Sequence, residues 1–121
     1  CKLRKKSEFA SSHKKLARRN KMLKLKFTKQ EWSQLARQHP ENGDQVIVHV
    51  FNPYGTGDWY LTEYNSENRI FFGLCDLGYP ELGYVAEDEL FNLRVNNLPL
   101  EKDKFWKKRP LKEIQEERRQ L

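Results

Sequence analysis

In QVIVHVFN (45–52), Val46, Val48 and Val50 alternate with Ile47, His49 and Phe51, a period of two that predicts a strand. Both sets are largely apolar, which places this strand inside a sheet rather than at its edge. DWYLTEYN (58–65) repeats the alternation, with Trp59, Leu61 and Glu63 set against Tyr60, Thr62 and Tyr64. RIFFGLCD (69–76) is the third strand. The turn formers of NPYGTG (52–57) join the first two, and SEN (66–68) joins the next pair. LGYPELG (77–83) reads as a Gly/Pro-rich bend, YVAEDELFNLRV (84–95) as a short strand followed by a helical turn, and LPLEKDKFW (98–106) as a last extended piece.

The period changes at the two ends. In TKQEWSQLARQH (28–39), Thr28 is an N-cap, Glu31 completes a capping box, and Trp32, Leu35 and Ala36 share one helical face. Pro40 and the ENGD behind it end that helix. Pro110 opens LKEIQEERRQL (111–121), with Leu111, Ile114 and Arg118 on one stripe. The pattern predicts a single α+β domain over residues 23–121. It has an N-terminal helix, an antiparallel meander of three to five strands and a short C-terminal helix. Residues 1–22 read as a basic extension, and Phe9, Leu16 and Leu23, seven apart across its end, make too thin a stripe to specify a helix.

A length of 121 residues with 15 aromatics fits one small core. No eighteen-residue apolar run is present, so no membrane span is expected. Cys1 and Cys75 show no metal or CxxC spacing, so neither a disulfide framework nor a zinc site is expected, and a reducing cytoplasm is the default. The net charge of +6 is unevenly spread. Residues 1–29 hold twelve Lys/Arg and one acid, residues 30–101 hold three Arg and twelve acids, and residues 102–121 hold eight basic and four acidic side chains. The chain is an acidic body with a basic arm and a mildly basic tail.

These features bound the chemistry. Gly55-Thr56-Gly57 precedes a strand and is followed by Asp58, whereas a phosphate loop opens a helix and carries a cation; a hairpin turn is expected. His13, His39 and His49 are too scattered for a metal cluster. A general-base role for His49 needs a facing carboxylate, and Glu63 on the adjacent strand is the candidate. Cys75 reads as a small core residue. Glu63, Glu81, Glu101 and Asp103 come from separate segments; if they converge they offer a metal-dependent nuclease or hydrolase site. Clustered Lys/Arg neutralises phosphates regardless of base sequence. Nucleic-acid contacts are therefore expected in the arm (Lys14, Lys15, Arg18, Arg19) and in KFWKKRPLK (104–112), at Lys104, Trp106, Lys107, Lys108 and Arg109. The acidic body also permits a nucleic-acid mimic. No cofactor is expected.

FNPYGTGDWYLTEYN, RIFFGLCDLGYPELGYVAEDEL and LPLEKDKFW resemble a bacterial family known as domain-of-unknown-function family 2958, over roughly residues 23–115. The matching positions are Pro53, Trp59, Thr62, Glu63, Phe72, Gly73, Leu74, Glu81, Leu82, Gly83, Tyr84, Glu89, Leu90, Pro99, Glu101 and Asp103. Lys102 departs from an Arg expected beside the acid pair, and a bidentate carboxylate contact is expected to be lost there. The resemblance implies an accessory protein of plasmids and other mobile elements and brings no activity or cofactor. The expectation is a non-enzymatic binding module for nucleic acid or a protein partner, with the carboxylate hydrolase as the alternative.

Overall fold

The computed structural model describes residues 24–37 and 45–119. Residues 24–27 arrive extended, burying Leu25 and Phe27 and exposing Lys24 and Lys26. Helix α1 (Lys29–Arg37) follows. Its capping box closes in both directions: Thr28 N–H donates to Glu31 Oε1 at 2.7 Å, and Glu31 N–H donates to Thr28 Oγ1 at 3.1 Å. Leu35 is fully buried and Trp32 packs against the core, while Ala36, expected on the same face, is exposed. One residue turns a helix by about 100°, which carries Ala36 off a narrow stripe. The expected stop at Pro40 lies outside the described residues.

Strands β1 (Gln45–Val46), β2 (Val48–Phe51), β3 (Asp58–Asn65), β4 (Ile70–Asp76) and β5 (Pro80–Ala86) lead to α2 (Glu87–Asn92). Four short strands follow: β6 (Arg94–Val95), β7 (Leu98–Pro99), β8 (Glu101–Lys102) and β9 (Arg109–Pro110). Helix α3 (Leu111–Arg119) ends the described chain. The main sheet is antiparallel in the order β5-β4-β3-β2-β8, a meander to which β8 returns as an edge. The α+β architecture is as the pattern predicts. Two details differ: the expected bend at 77–83 shrinks to Leu77–Tyr79 because β5 starts at Pro80, and the last extended piece is broken into β7, β8 and a loop.

The alternation slips twice. Ile47 interrupts the predicted strand, its N–H donating to Leu61 O at 2.9 Å. Val46 consequently packs with Tyr60, Leu74, Leu111 and Ile114, whereas Ile47, Val48 and Val50 enter the larger core. In β3 the ladder to β4 shifts between Leu61 and Glu63, a bulge at Thr62. Thr62 is buried with its hydroxyl donating to Phe72 O at 3.2 Å. An extra residue flips every side chain beyond it, so Tyr64, and not Glu63, joins Trp59 and Leu61.

The first face of the sheet is covered by residues 25–27, α1 and α2. Phe71 is fully buried there, with ring centroids of Phe27 at 5.7 Å, Trp32 at 5.6 Å and Tyr64 at 4.8 Å. The second face is covered by α3 through Leu111 and Ile114, with Trp106 beside them. Gly73 lets β3 and β4 meet: a Cβ there would stand 2.0 Å from Tyr60 O. Cys75 is buried in the core as expected, and it is disulfide-bonded, which the spacing did not suggest. Among the described residues no helix is long and apolar enough to cross a membrane.

Candidate functional site

The second face carries a line of charged side chains centred on His49. β2 and β3 place His49 opposite Tyr60, and the two rings stack with centroids 4.4 Å apart and planes at 2°. Trp106 packs at the edge of this pair, 5.3 Å from the imidazole and 5.7 Å from the Tyr60 ring, fixed by its indole N–H donating to Val46 O at 2.8 Å. His49 Nδ1 lies 3.1 Å from Asp103 Oδ2, and Nε2 lies 2.8 Å from Asp58 Oδ1. The carboxylate expected to face His49 was Glu63. The β2–β3 register sets Tyr60 opposite His49 and leaves Glu63 three residues further along β3, so Asp58 and Asp103 take the position.

Asp58 and Asp76 are direct cross-strand partners, an arrangement of like charges that opposes pairing. Arg118 relieves it, reaching Asp58 Oδ2 at 3.4 Å and Asp76 Oδ2 at 3.3 Å. It also donates to the Tyr60 hydroxyl and lies over the Tyr60 ring at 5.3 Å. Burial opposes the Arg118 charge, but the Tyr60 hydroxyl, Asp58 and Asp76 together hold the guanidinium above its ordinary value. Burial pushes the Tyr60 phenol up; the Arg118 hydrogen bond pulls against that, and Asp58 and Asp76 add to it. Arg118 shares the predicted stripe with Leu111 and Ile114, and a charge on an apolar stripe was the signal for this network.

The order Asp103–His49–Asp58–Arg118–Asp76 ties the loop after β8 to β2, β3, α3 and β4. Carboxylate oxygens only accept, so both contacts of His49 are hydrogen bonds when both ring nitrogens carry a proton. Each nitrogen is engaged and the side chain is 14% exposed, so the ring presents neither nitrogen to an incoming substrate. The network holds α3 and the 103–108 loop that precedes it on the sheet.

The four carboxylates of the hydrolase alternative are not brought together. Glu81 is exposed on edge strand β5, Glu101 is exposed on β8 at the opposite edge, Glu63 lies beyond the bulge, and Asp103 is committed to His49. Among the described residues no three His, Cys, Asp or Glu side chains are grouped to hold a metal ion.

The basic segment divides differently. Lys14, Lys15, Arg18 and Arg19 lie outside the described residues. Lys104, Lys107 and Lys108 are exposed. Trp106 is turned inward, and Arg109 is paired with Glu113 at 3.4 Å and with Glu117. The aromatic that points out is Phe105, 91% exposed. Asp103 builds this loop: its Oδ1 accepts Phe105 N–H at 2.9 Å and its backbone oxygen accepts Trp106 N–H at 3.3 Å. An Asp two residues ahead of an aromatic is an Asx-turn signal that could have found Phe105.

Beside this loop is an open cleft of about 620 Å³, lined by Lys24, Lys26, Lys102 and Lys104, with Tyr54, Glu101 and the 98–100 segment. Lys102 Nζ donates to Glu31 Oε1 at 2.9 Å. A single contact to the capping-box acid thus replaces the bidentate one expected of an Arg. Tyr54 is 48% exposed on the β2–β3 hairpin. Asn52 shapes that turn, its Oδ1 accepting Tyr54 N–H at 2.9 Å and its Nδ2 donating to Thr56 O at 3.2 Å. Gly57 takes φ +148°, and β3 follows at once, so Gly55-Thr56-Gly57 is a hairpin connection.

This small α+β domain, with an antiparallel five-stranded sheet and a charged network sealed on one face, is the class the geometry defines. The chain belongs to the family described as Protein of unknown function (DUF2958), which matches residues 17–120. The match takes in residues 17–22 of the segment read as an extension. Comparison with curated proteins and with solved structures gives no match.

Proposed function

We propose that the chain is a non-enzymatic binding module for nucleic acid, contacting it along the edge formed by β8 and the 103–108 loop. One observation carries this reading. Two basic segments far apart in sequence, at Lys24 and Lys26 and at Lys104, line one cleft, with Lys102 held to Glu31 beneath them, and Lys107 and Lys108 stand exposed on the same loop. Lysines gathered at one edge neutralise phosphates and release counterions. Trp106 and Arg109 are withdrawn from the contact set, and Phe105 enters it. An accessory role in bacterial mobile elements is the setting proposed from the family resemblance.

The test is binding of fluorescent oligonucleotides across a salt series, for the parent chain and for Lys24→Glu, Lys104→Glu and Lys107→Glu. Affinity is expected to fall with salt, and each substitution to lower the log–log slope by about 0.7–0.9. Binding unaffected by all three would end this assignment of the edge.

The protein-partner reading has an observation of its own: edge strand β5 and the bend before it expose Tyr79 (71%), Leu82 (47%) and Tyr84 (63%). Its test is photo-cross-linking from position 82 in the native host, with Tyr84→Lys as the substitution that should abolish a discrete product. Absence of any product would sink it.

A further inference from the structure

We infer that the β8 edge takes single-stranded nucleic acid, with Phe105 and Tyr54 as stacking platforms for unpaired bases; this rests on the nucleic-acid reading above. A fully exposed phenyl ring on a loop costs solvation, and here the loop is not slack. Asp103 accepts the Phe105 amide and is itself held by His49, so the ring is presented from a braced turn beside Lys104. Tyr54 is presented in the same manner, its amide bonded to Asn52 Oδ1 in the hairpin, and it lines the cleft that Lys104 also lines. The register Phe51↔Glu101 and Val50↔Lys102 sets the Tyr54 hairpin toward one end of β8 and the Phe105 loop toward the other. Lysines lie between and beside them.

Alternation of aromatic rings with cations along an edge suits a single strand, whose bases splay out to stack while the backbone tracks the charges. A duplex keeps its base faces stacked inside, and a protruding ring reaches them only by unstacking a base step, a cost a single strand does not impose. The polyanion term alone would give no role to either aromatic. Stacking tolerates every base, so little sequence preference is expected.

The experiment uses the full chain with three probes at low salt: fluorescent oligo-dT, a mixed-sequence duplex of equal length, and heparin as a polyanion without bases. The variants are Phe105→Ala, Tyr54→Ala and Lys104→Glu. Phe105 is so exposed that its truncation leaves the fold intact, which thermal unfolding of the variant checks. The expected result is preferential binding of oligo-dT, weakened roughly five- to tenfold by Phe105→Ala and less by Tyr54→Ala. Heparin affinity should stay within about twofold in both aromatic variants and fall in Lys104→Glu, since only the charge term acts there. If the duplex binds as tightly as oligo-dT and Phe105→Ala changes nothing, the single-strand inference is overturned while the nucleic-acid reading stands. If none of the three probes binds, both fall together.

Discussion

The two faces of the sheet are held by opposite kinds of physics. On the first, Phe27, Trp32, Tyr64, Phe71 and Phe91 interlock with centroids about 5 to 6 Å apart, and the adhesion is non-directional burial. On the second, α3 contributes Leu111 and Ile114, and the rest of the attachment is a directional chain of Asp103, His49, Asp58, Arg118 and Asp76. A small domain with one apolar face can seal itself by packing alone. A second face with less apolar area needs each polar group satisfied, because an unpaired buried group costs more than a made bond returns. The comparison also accounts for where the outward-facing loop sits. Asp103 is the end of the directional chain, so the face held by hydrogen bonds is the one that positions Phe105.

The largest expected effect comes from breaking the apolar face. Phe71→Ala removes the ring at its centre and should cost about 3–5 kcal/mol in urea unfolding. A loss below about 1 kcal/mol would mean that the remaining rings re-pack, and the face would not be the rigid partner of the comparison.

His49→Phe attacks the other face while keeping a flat ring on Tyr60. Asp58 and Asp103 each lose a partner, and a cost of about 1–3 kcal/mol is expected. Amide exchange at Phe105 and Trp106 should quicken, since the loop loses its brace. A variant as stable as the parent, with that exchange unchanged, would show that the chain of charges contributes nothing net.

Arg118→Leu is milder, at about 1 kcal/mol, and leaves Asp58 facing Asp76 without a cation between them. Faster exchange confined to residues 111–119, with α1 unaffected, would sharpen the separation of the faces. Loosening of both helices would erase it.

The smallest effect is expected at the rim of the first face. Glu87 lies below its ordinary value of 4.5 because Arg69 bonds its carboxylate, with burial opposing and the Tyr64 hydroxyl adding to the shift. A depressed carboxylate stabilises the fold above its unfolded value, and that contribution is lost as pH falls through the folded value. Glu87→Gln should therefore lower the urea midpoint at neutral pH and converge on the parent in acid. A gap that persists in acid would assign the effect of Glu87 to packing alone.

Several elements were legible because their signals are local. The capping box of Thr28 and Glu31, the hairpin at 52–57, the strand at 70–76 and the stripe of Leu111, Ile114 and Arg118 each depend on residues a few positions apart. Trp106 was assigned to the wrong side for a physical reason. KFWKK offers two aromatics among lysines, and which one turns inward depends on a contact with Val46 O, sixty positions away. The lysine cleft was half legible: both basic segments stand out, but only the return of β8 beside β2 brings 102–104 against 24–26.

Alternation, capping and turn chemistry were enough to determine the α+β class, the order of the principal elements and the acidic body between basic ends. Which residues meet was decided by tertiary structure. A period of two states which side chains share a face only while the register is unbroken, and the breaks at Ile47 and Thr62 are set by pairing with neighbouring strands. His49 therefore found Asp58 and Asp103 rather than Glu63, because a strand's partners are chosen by the ladder and not by the strand's own sequence.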